Sequence, residues 1–162
     1  MADYRCSRQG ENTGRNLPAD DLYYLTTFGG GADAQHTACG PVVDGSWFYI
    51  AGSHRFGCGT HVRVVNPRTG ASCIAEVVDD GPACWVEDRA GGPIIDASPM
   101  VVQHLFGVRH VGWSDRWIVK AWRVGNNVPL GPFRETESNL PWIVAVLAGA
   151  GIAFLWSRRH RG

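Results

Sequence analysis

Lysine is almost missing from this chain. Of fifteen lysines and arginines only Lys120 is a lysine, a skew that fits codon bias better than a physical demand. Net charge is missing as well, because fifteen acidic residues balance the basic ones. Nothing therefore draws the chain to nucleic acid. That balance hides an asymmetry: Arg158, Arg159 and Arg161 follow the last acidic residue, Glu137, and without them the chain is net acidic. The first 22 residues lack the apolar run of a secretory signal. Their polar character predicts a solvated arm, or one that docks on a partner. No Cys-x-x-Cys occurs, and no histidine pair has ligand spacing on a shared element. No metal and no cofactor are expected.

Five cysteines are present, so at least one is unpaired in a monomer. The disulfide candidates are Cys39, Cys58, Cys73 and Cys84, with all three pairings of these four open and Cys6 expected to stay out of the barrel. Disulfides here imply an oxidising compartment.

Hydrophobic residues make up 44% of the chain, and 21 glycines fit a compact fold with many tight turns. Residues 22–28 are rich in strand formers and stop at Gly29-Gly30-Gly31. Residues 47–51 predict a second strand. His61-Val62-Arg63-Val64-Val65 alternates, and a turn at Asn66-Pro67-Arg68-Thr69-Gly70 joins it to Ser72–Val78 as a hairpin. Ser98 as N-cap, Pro99 in the first turn and Gly107 after Phe106 predict one short helix. Residues 116–124 alternate again and close the set. Many short strands with one helix favour a small barrel over residues 23–124.

Residues 125–139 read as a linker with Gly125, Pro129, Gly131 and Pro132. Leu140 to Trp156 then runs for 17 residues without a charge, about 25 Å as a helix, the short end of what spans a bilayer. Trp142 and Trp156 mark its ends, and the basic tail 158–162 follows. Residues 140–157 are thus expected to form a transmembrane helix with the lipid bilayer as partner. Ala145, Gly149 and Ala153 offer a smooth face to a helix–helix partner. The arginines belong inside by the positive-inside rule, which puts the barrel on the extracytoplasmic side or in a virion membrane.

Five blocks, in order, resemble the rare lipoprotein A and expansin families. They are Leu25-Thr26-Thr27-Phe28-Gly29, Thr37-Ala38-Cys39-Gly40, Cys58-Gly59-Thr60 through Asn66, Val77-Val78-Asp79-Asp80-Gly81-Pro82, and Ile94-Ile95-Asp96-Ala97-Ser98. The resemblance covers about 100 residues and implies a mainly β fold, a six-stranded double-psi β-barrel that binds or cleaves cell-wall polysaccharide, peptidoglycan above all. By the same resemblance Asp96 lies in an open groove as the catalytic acid, Asp79 ties down a turn, and Asp44 is the second catalytic candidate. Thr26 and His54 are implied as substrate-binding. Asp96 has the alternative of bracing the Ser98 helix, and Asp44 that of a turn residue in Asp44-Gly45-Ser46. Where the family carries a glutamate near that second aspartate, this chain has Pro41, which can do no proton chemistry, and Asp80 stands in place of an arginine.

Breaking a glycosidic bond requires a proton delivered to the leaving oxygen by a carboxylic acid of raised pKa. Hydrolases use a second carboxylate for water, whereas lytic transglycosylases let the sugar's own hydroxyl attack. Trp85 and Trp113, in expected loops beside polar residues, are the indoles on which a sugar would stack. Three readings follow: a membrane-anchored lytic transglycosylase-like enzyme, a non-catalytic polysaccharide-binding or wall-loosening module, or a structural or assembly protein.

Overall fold

The computed structural model describes residues 5–6, 15–31 and 35–135. The expected transmembrane helix at 140–157 and the tail at 158–162 lie outside these residues, and within them no helix is long and apolar enough to cross a membrane.

The strands in chain order are β1 (Leu22–Thr27), β2 (Gln35–His36), β3 (Val42–Val43), β4 (Tyr49–Ala51), β5 (His61–Val65), β6 (Ser72–Asp79), β7 (Ile94–Ala97), β8 (Ile118–Arg123) and β9 (Gly131–Phe133). Six of them pair in the order β4-β7-β1-β8-β5-β6, and β6 returns to β4, so the sheet closes into a barrel. The β1–β7 and β4–β6 pairs are parallel and the other pairs of the ring antiparallel. Closure follows from the length of β6. Its end, Glu76 to Asp79, pairs with β4, while its start, Ser72 to Ile74, pairs with β9 outside the ring.

The interior obeys the two-residue period of strands. Tyr23 and Leu25 of β1, Val62 and Val64 of β5, Cys73, Ala75 and Val77 of β6, Ile95 and Ala97 of β7, and Val119 and Ala121 of β8 all point into one cluster with Ile50. Val101, Val102 and Leu105 of α3 (Pro99–Phe106) pack onto the same core. The Ser98 side chain accepts from Val101 N at 3.2 Å, and Gly107 ends the helix in the left-handed region at φ 76°.

Three expectations need correction. The barrel has more than one helix: α1 (Ser53–Phe56) and α2 (Cys84–Ala90) join α3, with a 3-10 turn at Trp113–Asp115. Neither α1 nor α2 has a side-chain cap, so neither carried a start signal in the sequence. Second, Gly131–Phe133, in the stretch expected as linker, is a strand. Third, the N-terminal segment is not wholly solvated. Cys6 is fully buried and bonded to Cys84, and Arg15 is buried against the barrel. Cys6 therefore belongs to the barrel after all. Cys39 pairs with Cys58, and Cys73, one of the four disulfide candidates, is a free buried thiol because its side chain points into the core.

Candidate active site

Parallel pairing of β1 with β7 sets Thr26 directly beside Asp96, and the Thr26 hydroxyl donates to Asp96 Oδ1. On the other side β7 meets β4 at Ile50–Ala97. A register shift after Ile50 then aligns Ala51 with Asp79 of β6. Thr26, Asp96, Ala51 and Asp79 thus converge at one end of the barrel from four strands. The turn after β6 completes this end. A side-chain carbon on Gly81 would lie 3.2 Å from Asp96 Oδ2 and 3.6 Å from the Ala51 methyl, so the turn runs close against the carboxyl.

Burial is the main force on Asp96, and the negative charges of Glu87 and Asp79 add to it. Together they push its carboxyl up to about 7. Asp79 has a different task. Its Oδ1 accepts from Ala38 N and Asp80 N, each at 2.9 Å, which fixes the turn and ties the Thr37–Gly40 segment to the end of β6. The Cys39–Cys58 disulfide holds that segment from the other side.

His54 lies on α1, which begins just after β4. Its Nε2 is 3.7 Å from Asp80 Oδ2, and the neighbouring Ser53 hydroxyl donates to Asp80 Oδ1. His54 therefore faces the Asp-Asp-Gly-Pro turn that flanks Asp96. Asp44 is placed differently. It is exposed and accepts from the Ser46 hydroxyl at 2.6 Å and from Ser46 N at 2.9 Å, and these bonds hold its carboxyl below the usual range. Both bonds lie within the Asp44-Gly45-Ser46 turn.

Trp85 is 64% exposed and Trp113 41% exposed. Trp85 stands on α2 rather than in a loop, and Trp113 on the 3-10 turn. Other indoles serve packing: Trp47 lies 5.0 Å from the Tyr49 ring, and Trp117 lies 4.7 Å from the Phe106 ring.

The sequence reading missed the group behind the site. Glu87 of α2 is fully buried. Arg55 grips it through two bonds of 2.7 and 2.8 Å, Arg15 lies 3.4 Å away, and Ile94 N donates to it at 2.9 Å. Arg15 also donates to the Pro82 carbonyl at 2.8 Å, and its own N–H reaches His54 O at 2.9 Å. One arginine of the N-terminal segment thus touches α1, the Gly81–Pro82 turn and α2. No local pattern announces this, because the partners His54, Pro82 and Glu87 lie 39 to 72 residues from Arg15 in the chain. Among the described residues no group of His, Cys, Asp and Glu side chains could hold a metal ion.

A family model described as AlyA, Lysozyme A, matches residues 14–149. Three proteins of Dictyostelium discoideum are similar to the chain. Lysozyme A is 43% identical over 125 residues, which cover 75% of this chain and 66% of that protein. Lysozyme B is 43% identical over 120 residues, or 71% and 62%. Lysozyme C is 42% identical over 126 residues, or 75% and 66%. The chain spans a little under two thirds of the length of these relatives. The rare lipoprotein A and expansin families are not the ones named.

Proposed function

The chain belongs to the lysozyme A family, and from that premise we propose that it cleaves the glycan strands of peptidoglycan with Asp96 as the acid. The observation that carries this reading is Asp96 itself. Its carboxyl is half-buried, fixed by Thr26, and raised to about 7, so it holds its proton at near-neutral pH. A group of that kind can protonate the oxygen of a leaving sugar as the glycosidic bond breaks. Thr26 fixes the orientation of the proton. Trp85 and Trp113 offer exposed indoles for sugar faces, and His54 flanks the Asp96 end of the barrel through Asp80. That acid is all that lytic transglycosylase chemistry asks of a carboxyl group, so the lyase outcome is compatible with Asp96 alone.

We take the barrel as a double-psi relative of rare lipoprotein A and the expansins. The parallel β1–β7 and β4–β6 pairs within an otherwise antiparallel ring support this kinship. Residues 140–157 serve in the same reading as a membrane anchor, with the barrel on the extracytoplasmic side or in a virion membrane. Two disulfides are consistent with that compartment.

Incubation with purified peptidoglycan, followed by separation and mass analysis of soluble fragments, tests the activity. The wild-type protein is expected to release muropeptides. Sedimentation with the wall without release would instead favour the non-catalytic binding module. Neither release nor binding, with a protein partner co-purifying, would favour the structural role.

A further inference from the structure

We propose that Asp80 is the second catalytic carboxylate, the base that activates water, so that the chain hydrolyses its glycan by inversion rather than closing it to an anhydro sugar. This rests on the reading of Asp96 as the acid and goes further, because it fixes the nucleophile and the product.

The turn geometry brings Asp80 and Asp96 to the same end of the barrel. Gly81 abuts Asp96 Oδ2, and Asp80 is the residue before it. Adding the 3.8 Å step between neighbouring Cα atoms puts the Asp80 backbone within about 9 Å of the Asp96 carboxyl. From that backbone position the Asp80 side chain can reach the roughly 6.5–9.5 Å carboxyl separation with which inverting glycosidases leave room for a water. The other two nearby carboxylates are committed. Asp79 Oδ1 accepts two backbone N–H groups, and Glu87 is fully buried between arginines. Asp80 differs from both, since half of its side chain is open to solvent.

Asp80 is also held rather than loose. The Ser53 hydroxyl donates to Oδ1, while Oδ2 faces His54 Nε2 at 3.7 Å, beyond hydrogen-bond length. Oδ2 therefore keeps a lone pair for a water proton. Ser53 and His54 act on the reaction through Asp80 and are positioning residues. Both follow Ala51 and Gly52 directly. The Gly52 N–H donates to the Asp79 carbonyl at 2.7 Å, so α1 and the catalytic turn are locked together.

The bond from the anomeric carbon to the bridging oxygen breaks, and the Asp96 proton goes to that oxygen. A water oxygen bonds to the anomeric carbon from the opposite face, and its proton goes to Asp80. One water is consumed, and exchange with solvent returns the proton to Asp96.

The test compares products and variants on purified peptidoglycan. In water enriched in oxygen-18, the wild-type protein should give reducing ends that carry the label and no anhydro ends. Asp80→Asn should fall at least a hundredfold in kcat with KM little changed and with an unaltered thermal melt, because asparagine keeps the Ser53 bond but takes no proton. Asp80→Ala with sodium azide should recover turnover and yield a glycosyl azide, which also shows that the variant is folded. Anhydro ends from the wild-type protein, or Asp80→Asn within threefold of it, would overturn the role of Asp80 and leave Asp96 standing. A wild-type protein that releases nothing, or an Asp96→Asn variant of normal turnover, would overturn the parent reading instead.

Discussion

At Asp96 burial, the charge of Glu87 and the charge of Asp79 all favour the protonated carboxyl. The folded state therefore binds a proton between about pH 4 and pH 7 that the unfolded chain has already released. Stability must fall as pH rises through that window, the reverse of a salt-bridged aspartate. Asp96→Asn removes the titrating group and leaves an oxygen to accept from Thr26. The variant should lack this pH slope and be more stable than the wild type above pH 7 by roughly 1–3 kcal/mol, since one pH unit of proton affinity is worth about 1.4 kcal/mol. Denaturant melts of both proteins at pH 4.5 and 7.5 measure it. Wild-type glycan cleavage should decline as pH rises through about 7, because the acid is then spent before substrate arrives. A carboxyl that only braced the Ser98 helix would favour its charged form, and Asp96→Asn would then lower stability at neutral pH.

Helix α2 is fastened from two sides, and the fastening positions the site. Its first residue, Cys84, is bonded to Cys6 across 78 residues, while Cys39–Cys58 spans only 19. By loop entropy the long crosslink restricts the unfolded chain more, by about 4.5 kcal/mol against about 3 kcal/mol. Replacing Cys6 and Cys84 with serine should therefore lower stability more than replacing Cys39 and Cys58, as paired thermal melts would show. Inside the helix, Glu87 ties Arg55 of α1, Arg15 and the start of β7 into one buried unit. Arg55→Met leaves that carboxylate only partly compensated. Breaking one partner of a buried pair costs about 3–5 kcal/mol, and a urea titration would read that loss as a shift in midpoint.

The described barrel closes on itself through β4 and β6, and its interior cluster draws on all six strands of the ring. No residue beyond Phe133 contributes a strand to the described sheet. Deleting residues 136–162 should thus leave a folded domain with a cooperative melt and the same peptidoglycan cleavage in solution. A truncated chain that aggregates without a melting transition would show that the barrel needs its C-terminal run.

Local chemistry was enough for part of this structure. The alternation in β5 and β8, the hairpin into β6, and the Ser98-Pro99…Gly107 signals of α3 each act over a few residues, so the sequence determined them by itself. Asp96 was pointed to by the resemblance of the Ile94–Ser98 block to rare lipoprotein A and the expansins. Other features depend on residues that meet only after folding. Thr26 reaches Asp96 across 70 residues of chain, Arg55 reaches Glu87 across 32, and Cys6 reaches Cys84 across 78. No periodicity encodes such distances. The raised proton affinity of Asp96 was equally hidden, because it comes from burial and from charges on β6 and α2. Sequence thus offered Thr26, His54 and Asp96 as candidates. Tertiary structure decided which of them meet at one end of the barrel, since parallel pairing of β1 with β7 and the close approach of Gly81 are properties of the closed barrel alone.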